Sequence, residues 1–174
     1  MTISTLSTGL YRASWALVCF IPASFVFDWY LAISQQDLNE VQLSYEVVYG
    51  NLELWQWSAG VGLTALPMLA LVAAFKYLSR LMNEFSQGHY FSLPAINYLH
   101  RFSTWLLVST ALGIVIVPLL SVALTLNNPV GERWIMVSLE SDDLYAALIA
   151  LVFFVVTRIL QEGRRLDMEN AEFI

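Results

Sequence analysis

Four long apolar stretches divide this chain, and polar residues gather in short blocks between them. Over a sliding window of about 19 residues, the first stretch runs from Ala13 to Ser34, broken only by Asp28. The second covers Leu54 to Phe75, the third Phe102 to Leu126, and the fourth Leu144 to Leu160. An α-helix rises about 1.5 Å per residue and the hydrocarbon core of a bilayer is about 30 Å thick, so roughly 20 apolar residues make one crossing. Each stretch is predicted to be a membrane-spanning helix, because a helix satisfies its own backbone groups where no water is present to do so. The fourth is the shortest; at roughly 25 Å it sets Asp143 and Arg158 at opposite interfaces, with their side chains reaching for the polar layer.

The connections carry patterns of their own. Past the second span, Leu78, Met82 and Phe85 continue an apolar stripe at helical spacing as far as Gly88, a left-handed stop. Ser92 then caps a new helix whose first turn holds Pro94, where a missing N–H does no harm. Residues 76–101 are thus predicted to form a helical hairpin projecting beyond the membrane. In "VQLSYEVVY", Val41, Leu43, Tyr45, Val47 and Tyr49 alternate with polar residues, and Ile135, Val137 and Leu139 alternate again after a turn at "NNPVGE". Period two is the pattern of a half-buried strand. A lone strand leaves its backbone unpaired, so these segments are expected to pair as a small two-stranded cap, with a short interfacial helix as the alternative.

Composition bears this out. Of 174 residues, 58% are hydrophobic and 13% charged, against about 25% charged in soluble domains. The prediction is an all-α membrane protein: a single membrane domain, 1–174, folded as an antiparallel four-transmembrane-helix bundle. Its loops are 35–53 and 127–143 on one side, with the hairpin 76–101 and the tail 161–174 on the other. The start, "YRASWALVCFIPASFVF", has the charge-then-apolar order of a secretory signal without a small-residue cleavage site, and reads as a retained span. Cys19 is the only cysteine, which excludes an intramolecular disulfide and a cysteine zinc site.

The formal net charge of −6 matters less than its distribution. Arg12, Lys76, Arg80, Arg101, Arg158, Arg164 and Arg165 collect on one side and only Arg133 on the other. Positive residues are retained in the cytoplasm, so both termini and the hairpin are expected there. No basic face suits direct contact with nucleic acid.

Candidate chemistry is sparse. Asp28 is a carboxylate within a span, where insertion costs about 2.5–3.5 kcal/mol; it reads either as a proton or cation relay or as an interfacial acid beside Trp29 and Tyr30. Glu140, Asp142 and Asp143 could offer oxygen ligands to a cation such as Ca²⁺, but they lack EF-hand spacing. A helix N-terminus, where carboxylates gain about 0.3–1 kcal/mol from the dipole, explains them better. His89 and His100 are the only histidines and lack further ligands around them. Gly60 and Gly62 read as points of close helix approach. Neither a nucleophile elbow nor a glycine-rich phosphate loop is present, so neither enzyme activity nor a cofactor is expected. The tail sets Arg164 and Arg165 near the membrane, where a basic residue gains roughly 1 kcal/mol from anionic lipid, followed by Glu169, Glu172 and Phe173. With Lys76, Arg80, Arg101 and Arg158 these form the candidate partner- or lipid-contact surface.

"FSQGHYFSLPAINYLHRFSTWLL", residues 85–107, "SLESDDL" entering the fourth span, and a tail ending Glu169-Asn170-x-Glu172-x-Ile174 together resemble the DUF2975 family of small bacterial four-span membrane proteins. The resemblance implies a bacterial inner-membrane location with both termini cytoplasmic. Because members are often encoded beside a small helix-turn-helix repressor, it also implies a regulatory partner. The competing expectation is a homo-oligomeric channel or small transporter using Asp28 and an acidic outer vestibule.

Overall fold

The computed structural model of the chain describes residues 3–36, 38, 52–133, 135–139 and 141–171, with the backbone alone for 3, 4 and 167–171. It is all-helical: α1 (Ile3–Gln35), α2 (Leu54–Ser86), α3 (Leu93–Thr125) and α4 (Ser141–Ala171). Each is long and apolar enough to cross a membrane. All four helices are longer than the apolar stretches: α1 starts ten residues before Ala13, α2 runs on past Phe75, α3 starts well before Phe102, and α4 runs on past Leu160. Hydropathy marks where lipid begins and ends, whereas a helix goes on as long as its backbone finds partners.

Helix ends follow local sequence. Gly88 adopts φ +84°, and α2 closes in a Schellman arrangement, His89 N–H donating to Glu84 O at 3.1 Å and Gly88 N–H to Phe85 O at 3.1 Å. Ser92 caps α3 by accepting from Ala95 N–H at 3.2 Å, with Pro94 in the first turn. The expected turn at "NNPVGE" also forms, Glu132 N–H donating to Pro129 O at 3.0 Å around Gly131 at φ +106°.

Neighbouring helices run antiparallel in a single open row. α1 packs on α2, α2 most extensively on α3, and α3 on α4; among the described residues no other pair of helices brings its backbones close, though side chains such as Trp29 reach past the neighbouring helix. Two clusters fix the row. Toward the end carrying both termini, Ala74, Leu81 and Met82 of α2 meet Ala95, Leu99 and Phe102 of α3, flanked by Tyr11 of α1 and Leu160 of α4. Toward the opposite end, Trp29 meets Ile116, Leu120 and Leu124, with Phe25, Trp57 and Val61 around them. Along the seams, beside these clusters, lie small hydroxyl groups. Ser14, Ser79, Ser103, Ser121, Thr125 and Thr157 are buried, each donating its hydroxyl to a carbonyl three or four residues back. Lipid tails are as apolar as leucine, so close packing and interhelical hydrogen bonds hold membrane helices together. Ser109 of α3 supplies such a bond, donating to Pro67 O of α2 at 2.8 Å.

The expected two-stranded cap is not seen. Residues 135–139 form no strand; Met136 N–H donates to the Ser121 hydroxyl at 3.0 Å, and Ile135, Val137 and Leu139 are exposed rather than half-buried. A strand needs a backbone ladder, and this segment instead runs against a helix side chain. The other segment of the expected pair, 41–49, lies outside the described residues.

α4 is set low in the row. Phe153 stacks on Phe102 at 5.4 Å, and Phe154 on His100 at 5.5 Å. From Phe102 α3 climbs about 34 Å to Thr125, but from Phe153 α4 climbs only about 18 Å to Ser141. The helix therefore starts about 16 Å short of the far end of α3, and the extended apolar segment 135–139 covers the difference.

Candidate functional site

At the end carrying the termini, the projecting ends of α2, α3 and α4 come together. The loop 87–92 is clamped from within by Ser92, whose hydroxyl donates to Glu84 Oε2 at 3.4 Å, and by the approach of His89 Nδ1 to the same carboxylate at 3.7 Å. From α4, Arg164 Nη1 donates to Phe91 O at 2.8 Å, which ties the last turns of the chain to the hairpin loop. Arg164 is spent on this contact, and its buried Nε has no partner. Arg165 pairs with Glu162 at 2.7 Å, one turn back. Around the clamp, Phe91 is 73% exposed and Leu93 and Leu166 are each 49% exposed, although they lie beyond the apolar spans. Phe91 and Leu93 are exposed apolar residues that the sequence reading did not single out. One lies in the turn and the other is the first residue of α3, so neither belongs to a stripe that would give a periodic signal.

Closer to the membrane, Tyr77, Arg80, Tyr98 and Arg101 cluster across α2 and α3. Lys76 is exposed beside them, and Arg158 lies over the Phe154 ring at 5.2 Å. The expected basic residues thus gather at one end, but in separate roles: Arg164 in a clamp, Arg165 in a local pair, Arg80 and Arg101 against tyrosines. Glu169 is helical with its side chain outside the described set, as are Glu172 and Phe173 altogether.

Asp28 is half-buried at the edge of the α1 face that packs on α2. That face is the stripe Ser7, Tyr11, Ser14, Val18, Ile21, Phe25, Trp29 and Ala32, spaced by three or four residues, and Asp28 flanks it between Phe25 and Ala32. Next to it Trp29 is 3% exposed, donates from Nε1 to Thr64 Oγ1 at 3.2 Å, and meets Trp57 edge-on at 6.4 Å. Of the two glycines, only Gly60 is a point of close approach: a Cβ there would stand 2.7 Å from the Trp29 ring, whereas Gly62 has open space.

At the far end, Asp142 and Asp143 occupy the first turn of α4 as the dipole argument expects. Glu140 lies outside the described residues, and among those described no three potential metal ligands converge. His89 and His100 are committed to different neighbours, Glu84 and Phe154. Gln56, marked by no sequence pattern, is a buried amide with all its polar groups engaged. It is 1% exposed and donates to Ala123 O and Leu124 O at 3.1 and 3.0 Å, while its Oε1 accepts from Glu53 N–H and Asn127 Nδ2. It caps the last carbonyls of α3 from the first turn of α2.

Four apolar helices in an antiparallel row, with hydroxyl-lined seams and apolar outer faces, define a multi-pass integral membrane protein. Residues 32–174, everything beyond most of α1, match the DUF2975 family, described as proteins of unknown function, and the chain belongs to that family. No curated protein and no solved structure matches it.

Proposed function

We propose that the protein is a non-enzymatic regulatory module of the bacterial inner membrane, with both termini cytoplasmic, that docks a small helix-turn-helix regulator. The observation that carries this reading is the clamp of Arg164 on Phe91 O. It joins the α4 tail to the hairpin loop as one surface and leaves Phe91, Leu93 and Leu166 exposed outside the apolar spans. Exposed aromatic and aliphatic side chains amid basic groups suit a protein interface, where such residues supply most of the binding energy. Orientation follows the one-sided distribution of Lys and Arg.

The test is co-purification from native membranes with identification of the retained proteins, a small helix-turn-helix regulator being expected among them. The regulator should be retained by the full chain and by Asp28→Asn, and lost on deleting residues 164–174 or on Phe91→Ser. A second reading, a homo-oligomeric channel or transporter, draws on the open row, whose α1 and α4 edges are free to meet a second copy, and on half-buried Asp28. Purified protein that passes ions in liposomes, with conduction abolished by Asp28→Asn, would overturn the regulatory reading.

A further inference from the structure

Two guanidinium groups converge on one tyrosine ring at the base of the α2–α3 hairpin. Arg101 lies with its guanidinium carbon 5.4 Å from the centre of the Tyr77 ring and donates from Nη1 to the Tyr77 hydroxyl at 3.3 Å. Arg80 lies 5.8 Å from the same ring and 6.0 Å from that of Tyr98. Both arginines are exposed, and neither is ion-paired among the described residues, whose pairs are His89 with Glu84 and Arg165 with Glu162. Two guanidinium groups gathered around one ring with no carboxylate paired to either among the described residues are short of a counter-ion. The ring contacts fix the arginine heads, and most of their N–H donors stay free for an acceptor matched to a planar fork.

The depth of the cluster narrows the acceptor. Lys76 is the first charge after the apolar run of α2, and Arg101 is the last before that of α3. Arg80 stands about 7 Å beyond Phe75 along α2, and the headgroup layer adds about 5–7 Å to each side of the hydrocarbon core. From Arg101 the exposed face of α3 continues into the membrane as Trp105, Val108 and Val115, and from Arg80 that of α2 continues as Leu69 and Leu66. A soluble anion would use the charges and leave these stripes idle, whereas a phospholipid uses both.

We propose that Arg80 and Arg101, positioned by Tyr77 and Tyr98, bind the phosphate headgroup of an anionic phospholipid whose acyl chains lie along the apolar faces of α2 and α3. A zwitterionic headgroup would bring its own cation toward two arginines, so selectivity for net negative charge follows.

The experiment is a thermal melt of the full-length protein in neutral detergent, titrated separately with phosphatidylglycerol, phosphatidylcholine and inorganic phosphate. Phosphatidylglycerol should raise the melting temperature saturably, and the other two should not. Arg80→Gln and Arg101→Gln should each weaken the apparent affinity by roughly fivefold, with Arg12→Gln, an exposed arginine of α1 outside the cluster, unchanged. Arg80→Lys with Arg101→Lys, which keeps the charge and guards against misfolding, should also bind less tightly because the planar fork is gone. Equal shifts with phosphatidylcholine, an equal loss in Arg12→Gln, or full affinity in the double lysine variant would overturn the site. A shift produced by inorganic phosphate alone would overturn the lipid assignment. No partner protein is needed, so this result and that for the regulator stand or fall separately.

Discussion

Replacing Gly60 by alanine sets two effects of known sign against each other. Alanine is the better helix former by about 0.8–1.0 kcal/mol, so at an open position the change stabilises. At Gly60 the new Cβ would stand 2.7 Å from the indole of Trp29, when ordinary contact begins at 3.4 Å, so the ring must retreat by about 0.7 Å. It has little room to do so. Trp29 is 3% exposed, tied to Thr64 by a 3.2 Å hydrogen bond, and boxed in by Phe25 and Trp57, each with its ring centre 6.4 Å away. Overpacking of this kind costs about 1–3 kcal/mol, and a displaced indole also forfeits a hydrogen bond worth about 0.5–1.5 kcal/mol. Gly60→Ala is therefore expected to destabilise by about 0.5–3.5 kcal/mol net, from the terms just given, while Gly62→Ala, with nothing within 4 Å, is expected to be neutral or stabilising. Both are measured by circular-dichroism melts or SDS titration in mixed micelles. Trp29→Leu should erase the difference, because the double-mutant cycle would then contain no clash. If Gly60→Ala melts at or above the wild type, the α1–α2 seam is not built on the indole and the reasoning fails.

Gln56→Leu removes both donors to the final carbonyls of α3 and strands Asn127, so SDS titration should show a loss of about 2–4 kcal/mol, one of the larger single effects in the chain. Gly88→Ala forces a side chain into φ +84° and should cost about 1–2 kcal/mol by the same measurement, without altering the spans. Arg164→Ala frees the α4 tail from Phe91, so hydrogen exchange should quicken in 87–92 and 159–166 while the membrane segments stay protected.

What could be read from the sequence was whatever is encoded over one helical turn or one uninterrupted run. The four crossings, the Gly88 stop and the Ser92 cap are local, and the structure has them where the pattern put them. The pairing partners were not legible. Gln56 meets Ala123 and Leu124 across 67 and 68 positions, and Trp29 meets Thr64 across 35. Hydropathy says that a side chain is apolar or polar, not which helix it will face. The alternation at 135–139 misled for a related reason. Period two is equally the mark of an extended segment lying along a helix, and only a partner for its backbone makes it a strand. Among the candidate site residues, the basic set lies near one end of the helices, and its division between clamp, local pair and tyrosine-held cluster depends on contacts that no local pattern encodes.

The open row also bears on how the protein is made. Because the backbone of α1 lies close to that of α2 alone, that of α2 to its two neighbours, and that of α4 to α3 among the described residues, the order of emergence from the ribosome is also the order of docking. Each new helix finds its packing face already inserted, and none has to wait for a segment not yet translated. Contacts between adjacent elements keep loop closure short. Chains cut in the 127–139 connection should accordingly leave α1–α3 assembled as a unit that a separately synthesised α4 can rejoin.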